Sequence, residues 1–303
     1  MPIYLQPQID KFRVGIACTG QEFSGACERL KFWAEEYKLP WRYLGNGSGV
    51  GLSIPQEKFG FGLYIAVRTM YGKSYRISYE MNGTALNAKG LLALQASSEK
   101  YFSLIDLPKR DFRAALLGGE FTYLEVCRDF PYKNSLDLLM HQVGSGVSSR
   151  FCKAGNLGTQ KSGEQGGLSR MVLYDKSGEL AAKGKKGLLG GLVRLERKMT
   201  HALSLIDLLE LEKPFLKARI YSVEKLRAMN VHPSLNWFYF IEFAKTYGVA
   251  EALSKLTEHE KKIFRTALEQ GQVDWFKPTQ WNSEGWEKNV LNRLHITEFL
   301  PIA

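Results

Sequence analysis

Two short alternating stretches constrain this chain more than anything else in it: Arg170-Met171-Val172-Leu173-Tyr174-Asp175-Lys176 and Leu192-Val193-Arg194-Leu195-Glu196-Arg197-Lys198. Each alternates apolar with polar residues, the signature of a strand with one face on a core and one face free. Arg170, Val172, Tyr174 and Lys176 are expected to share one face of the first strand. Arg194, Glu196 and Lys198 share one face of the second. If the two strands pair antiparallel, a phenol, a carboxylate and several cations gather on one surface. Met171, Leu173, Val193 and Leu195 point the other way, toward helices.

A third stretch, Phe121-Thr-Tyr-Leu-Glu-Val-Cys-Arg-Asp-Phe130, reads the same way. It places Glu125, Cys127 and Asp129 on one face and Leu124, Val126 and Phe130 on the other. Upstream, residues 22–37 predict an amphipathic helix through Ala26, Leu30, Trp33, Ala34 and Tyr37. The run Gly45 to Gly51 lacks the Gly-Lys-Ser/Thr of a phosphate loop and reads as a flexible loop. Residues 52–80 alternate as strands, with a turn at Tyr71 to Ser74. Further helices are expected at 88–103, from Asn134 or Ser135 through Val143, and, beyond residue 200, at 234–247 and 257–270. Thr257 and Glu260 stand at capping-box spacing, and Ser222 caps a short helix.

Charge narrows the partners. The chain has 303 residues and a formal net charge of +10, which favours a polyanion. Between Lys153 and Lys198 stand ten Lys/Arg and four Asp/Glu, and 144–191 hold twelve of the 29 glycines. Lys153, Lys161, Arg170, Lys183, Lys185, Lys186, Arg194 and Lys198 are the expected DNA-backbone contacts. The four cysteines form no C-x-x-C pair and the five histidines no H-E-x-x-H, so a zinc site is not expected. The N-terminus shows no signal pattern and no apolar run reaches 18 residues, giving a cytoplasmic reading with no membrane partner. His141, on the helix expected after Asn134, reads as packed or surface. His201 is the better metal or general-acid histidine. Trp275, Trp281 and Trp286 read as core or as stacking surfaces for bases. Tyr132 and Lys133 mark a helix start or a DNA contact.

The groups suggest a chemistry. A neighbouring cation or metal ion favours the phenolate of a tyrosine. Mg²⁺ or Mn²⁺ held by Glu125, Glu196 and Asp129 would polarise a phosphodiester for in-line attack. The product is a phosphotyrosine link to the 5′ end and a free 3′ hydroxyl that can prime synthesis.

Glu-Val-Cys-Arg-Asp-Phe (125–130), Gly-Leu-Ser-Arg-Met-Val-Leu-Tyr-Asp-Lys (167–176) and Leu-Val-Arg-Leu-Glu-Arg-Lys (192–198) resemble, in order, the motifs of the replication initiators of filamentous phages and rolling-circle plasmids. The resemblance spans roughly 60–225. It implies Tyr174 as the nicking nucleophile, Lys176 as its neighbouring cation, and Glu125 and Glu196 as metal ligands. The chain departs from the pattern at Tyr123-Leu124-Glu125, where the family carries Asp, often within Arg-x-Asp. The implied fold is α+β and HUH-endonuclease-like: a mainly antiparallel sheet with helices on one face, then a helical C-terminal region. The expected segments are an N-terminal 1–50, a nicking domain 51–221 and a helical 222–303. The implied partners are single-stranded or hairpin origin DNA, with the host helicase and replication machinery. Two rivals use the same residues: a non-catalytic single-stranded DNA- or RNA-binding protein, and a metal-dependent nuclease with water as nucleophile. Tyr221 and Tyr239 are available as second tyrosines but sit in no motif.

Overall fold

The computed structural model describes residues 8–45, 48–55, 62–70, 74–82, 112–132, 134–144, 148–151, 158–163, 169–184, 191–211, 213–279 and 283–294. In chain order these form β1 (Gln8–Cys18), α1 (Gly20–Glu36), β2 (Trp41–Leu44), β3 (Gly49–Ile54), β4 (Leu63–Thr69), β5 (Tyr75–Asn82), α2 (Phe112–Gly118) and β6 (Glu120–Phe130). There follow a single 3₁₀ turn (Ser135–Asp137), β7 (Leu138–Gln142), β8 (Ser148–Phe151), β9 (Thr159–Ser162), β10 (Ser169–Asp175), α3 (Lys176–Ala182), β11 (Val193–Met199), α4 (Leu205–Leu209) and β12 (Ala218–Ser222). The C-terminal helices are α5 (Val223–Ala228), α6 (Ser234–Tyr247), α7 (Val249–Ser254), α8 (Glu258–Gln270) and α9 (Ser283–Leu294). The protein is α+β. Its large sheet runs in the order β2-β3-β4-β5-β1-β6-β11-β10-β9-β8, and β12 pairs with β7 in a second, two-stranded sheet.

Contacts group the chain into two units, and the division falls within β6, after Glu125. The unit holding residues 8–125, 200–211 and 283–294 is built on an antiparallel meander, β2 to β5, that closes onto β1. Helix α1 starts two residues before the expected position 22, because Thr19 and Glu22 form a reciprocal capping box. It buries Ala26, Leu30, Trp33 and Ala34 and packs on β3, β4 and β5. Phe12 stacks with Phe112 and meets Phe121 at a tilt behind the strands, and Trp286 Nε1 donates to the Leu208 carbonyl at 2.9 Å.

The run expected as a glycine loop differs here. Its second half is β3, because Val50, Leu52 and Ile54 alternate into the core. Gly51 serves space rather than mobility: a Cβ there would sit 2.2 Å from the Tyr64 hydroxyl.

In the unit holding 126–199 and 213–279, the segment after Asn134 corrects a second expectation. It is extended, not helical. Asn134 caps only the 3₁₀ turn, and Leu138, Leu139 and Met140 are all buried. The Gln160 side chain acts as a strand partner: the Met140 amide donates to its Oε1 at 2.8 Å and its Nε2 donates to the Leu138 carbonyl at 2.7 Å. On its other edge β7 pairs with β12. These pairings outweigh local helical spacing. His141 therefore lies on a strand. Leu139 and Tyr221 then join Leu226, Trp237, Phe240, Ile241 and Phe264 in the core of the helical region. The helices at 234–247 and 258–270 form as the sequence predicts, the latter behind the Thr257–Glu260 capping box. The helix expected at 88–103 and the turn residues 71–73 lie outside the described residues.

Candidate metal and nucleophile site

β10 and β11 pair antiparallel in a register that sets Tyr174 opposite Arg194, Val172 opposite Glu196 and Arg170 opposite Lys198. Directly opposed residues in a ladder share a face, so the polar set faces one way, as the alternation implies. Tyr174 reaches diagonally and its hydroxyl donates to Glu196 Oε1 at 2.6 Å. Tyr174 is half-buried, and Glu196 is only 5% exposed.

Lys176 is not on the strand. Asp175 ends β10 by accepting from the Gly178 amide at 2.9 Å, so Lys176 opens α3. Its ammonium lies 3.4 Å from the Tyr174 hydroxyl and 2.7 Å from Glu179 Oε2. Glu179, which the sequence did not single out, is held at a pKa of about 2, its bonds to Lys176 and Lys183 outweighing the upward pull of burial. The phenol itself is pushed well above the ordinary tyrosine range, chiefly by burial and then by the Glu196 carboxylate. That is opposite in direction to what a neighbouring cation alone would do: Lys176 is engaged by Glu179.

Further along β11, Arg194 binds Asp129 with two parallel bonds, Nε to Oδ1 at 2.6 Å and Nη2 to Oδ2 at 2.7 Å. Both are buried. Asp129, expected among the metal ligands, is thus occupied as an arginine's partner. It stands four residues from Glu125, about 13 Å along a strand, beyond the reach of one ion.

Glu125 accepts from the Tyr123 hydroxyl, and Lys11 and Arg13 lie over the Tyr123 ring at 5.6 and 5.8 Å from its centroid. The acid that joins Glu125 and Glu196 is Asp10. Ligand oxygens of Asp10, Glu125 and Glu196 all lie within 4.8 Å of one another, on the neighbouring strands β1, β6 and β11. The sequence pattern does not mark Asp10. The alternation of Phe12 and Val14 points to a strand there, but Ile9 and Phe12 are both buried, so the phase slips at Asp10 and the residue has no tidy place in the pattern.

This acidic group can hold a metal ion. Mg²⁺ binds oxygen at about 2.0–2.1 Å, so two of its ligands stand at most about 4.2 Å apart. The three carboxylates need close by only a fraction of an ångström. The donor set is all hard oxygen, which suits Mg²⁺ or Mn²⁺ over softer metals. At an effective dielectric of about 20, two carboxylates about 4.8 Å apart repel by about 3 kcal/mol, and a divalent cation relieves that repulsion.

The expected DNA contacts divide. Lys161, on β9, stands opposite Val172, and its ammonium pKa is lowered by burial and by Arg170 and Lys198. These three cations flank Glu196, with Lys198 Nζ 3.5 Å from its Oε2. Lys183, at the end of α3, pairs with Glu179. Arg194 is committed to Asp129. Lys153, Lys185 and Lys186 lie outside the described residues. His201 sits at a bend after β11, outside the acidic group. Tyr221 is core and Tyr239 is exposed. Trp275 packs on Phe130 and Tyr132 and Trp286 is buried. Lys133 and Trp281 are outside the described residues. Among the described residues no helix is long and apolar enough to cross a membrane.

No family model matches the chain, and no curated protein matches it. Among solved structures it is similar to the rolling circle replication initiator protein from Geobacillus stearothermophilus, at 13% identity over 80% of this chain and 98% of that one, with a TM-score of 0.39. It is also similar to DynU16, a protein in the dynemicin biosynthetic locus, at 8% identity over 62% of this chain and 86% of that one, with a TM-score of 0.18. Likenesses this distant carry no weight for its activity.

Proposed function

We propose that the protein nicks and rejoins one strand of DNA at a replication origin through a covalent link to Tyr174, in the manner of a rolling-circle initiator. The observation that carries this reading is the Tyr174 hydroxyl hydrogen-bonded to Glu196, itself one of three clustered acids. The order of the three sequence motifs supports it independently.

Asp10, Glu125 and Glu196 would hold a divalent ion, which when bound supplies Lewis-acid polarisation of the scissile phosphate. The Tyr174 oxygen attacks phosphorus and its proton passes to Glu196, which already accepts that hydrogen bond. The P–O3′ bond breaks, the phosphoryl group stays joined to Tyr174 with its 5′ chain, and the 3′ oxygen leaves as a hydroxyl after taking a proton from water. Lys176, 3.4 Å from the phenol, stands where it can offset charge on that oxygen. Lys161, Arg170 and Lys198 supply backbone attraction, which is sequence-independent.

The test is an SDS-resistant adduct between the full chain and single-stranded origin DNA in Mn²⁺. Wild type should form it and Tyr174→Phe should not. A Tyr174→Phe protein that still cleaves assigns the chemistry to water instead. A wild type that never forms the adduct rejects the reading.

A further inference from the structure

The face of β1 to β5 that points away from α1 carries a basic trough that the nicking chemistry does not use. Register builds it: Arg42 stands opposite Gly51, and Ser53, Tyr64, Glu80 and Arg13 line up across β3, β4, β5 and β1. These residues and Gly51 line a hollow of about 400 Å³, walled also by Arg68 and Trp41.

Its polar lining is almost all donors. The Tyr64 hydroxyl and Arg68 Nε are shut off from solvent and meet no hydrogen-bond partner. Arg42 is exposed and lies over the Tyr64 ring, 5.8 Å from its centroid. The acid on the wall, Glu80, is taken by Lys11 and Arg13. Among the described residues no carboxylate pairs with Arg42 or Arg68. Two arginines that meet no acid among the described residues, lining one hollow, form a site suited to an anion. Guanidinium groups bind the oxygens of a phosphate in a fork.

The trough also has a direction. Arg13 connects it to the Tyr123 ring, and Tyr123 bonds Glu125. From β4 to β6 is three strand spacings, about 14 Å, which an extended strand of nucleic acid crosses in a few nucleotides. We propose that this trough is a phosphate-binding subsite that grips the backbone of single-stranded DNA. The proposal rests on the reading of the chain as a DNA-nicking protein and adds a further point at which the strand is held.

The test is fluorescence anisotropy of a labelled single-stranded oligonucleotide bound to the full chain without divalent metal, over a range of salt. Arg42→Gln/Arg68→Gln should weaken binding about tenfold, with a salt slope shallower by about 0.7 for each phosphate no longer neutralised. Millimolar inorganic phosphate or nucleoside monophosphate should not displace the oligonucleotide. Unchanged affinity and slope overturn the proposal. So does a variant that loses only the small anion, since the trough would then be a free-phosphate or nucleotide site. If the double variant misfolds by circular dichroism, Arg42→Gln decides alone, because Arg42 is exposed on an edge strand: about a threefold loss supports the subsite and none refutes it. A wild type that binds through these arginines but makes no adduct sinks the nicking reading alone. An adduct-forming wild type whose arginine variant binds equally well sinks the subsite alone.

Discussion

Glu196 has two duties at one carboxylate: it receives the Tyr174 hydrogen bond and belongs to the acidic group. Glu196→Gln keeps the shape and removes the charge. It should cut adduct formation at least a hundredfold. It should also abolish the thermal stabilisation that Mn²⁺ confers on the Tyr174→Phe protein. A ligand at about 100 times its Kd adds about 2.7 kcal/mol, a shift of several degrees by calorimetry. An equal Mn²⁺ shift in the Gln variant would remove Glu196 from the metal site. Asp129 has a different role, and a different variant exposes it. Asp129→Asn removes the carboxylate that the buried Arg194 binds and should cost about 3–5 kcal/mol in urea unfolding, whereas Asp129→Leu with Arg194→Met should cost far less. Equal losses would mean the pair is not a buried ion pair. The sequence shows Asp129 and Glu125 on one strand face but not that four residues of strand separate them by too much for one ion.

At the scale of elements, a cap marks a helix only where apolar residues continue at helical spacing behind it and no strand partner competes, as the turn after Asn134 shows. The capping boxes at Thr19–Glu22 and Thr257–Glu260 are local, and both helices begin there. Thr257→Ala should lower stability by about 1 kcal/mol, read from the urea midpoint. β7 was not legible, because its partners come from elsewhere: β12 along one edge and the Gln160 amide along the other. Its strand geometry leaves His141 half-buried, and its pKa falls to about 4 through desolvation and the charges of Arg219 and Arg265. A histidine with a folded pKa below its free value near 6.5 stabilises the neutral-pH protein, and that contribution is lost as pH falls from about 6.5 toward 4. The wild-type urea midpoint should therefore drop over that window by more than that of His141→Gln, the difference not exceeding about 3 kcal/mol. Parallel curves would show that His141 protonates freely in the fold.

Over the whole molecule, the formal charge of +10 predicts an affinity for single-stranded DNA that falls steeply with salt. A slope of magnitude at least about 2 in log K against log salt is expected if three or more phosphates are neutralised; a flat dependence would deny backbone binding. What the sequence determined by itself is the strand character of 169–175 and 193–199, the face on which Tyr174 and Glu196 lie, and the helix behind the Thr257–Glu260 cap. All of these follow from period and neighbouring residues. What only the tertiary structure decided is the company those residues keep. Asp10 joins the site because β1 lies beside β6 and β6 beside β11, a strand order that no periodicity encodes. Asp129 leaves it because β11 brings Arg194 to its side. Lys176 faces Tyr174 from a helix rather than a strand. A carboxylate's role is set by which charges stand within a few ångströms of it, and in a sheet those are contributed by strands far apart in the chain.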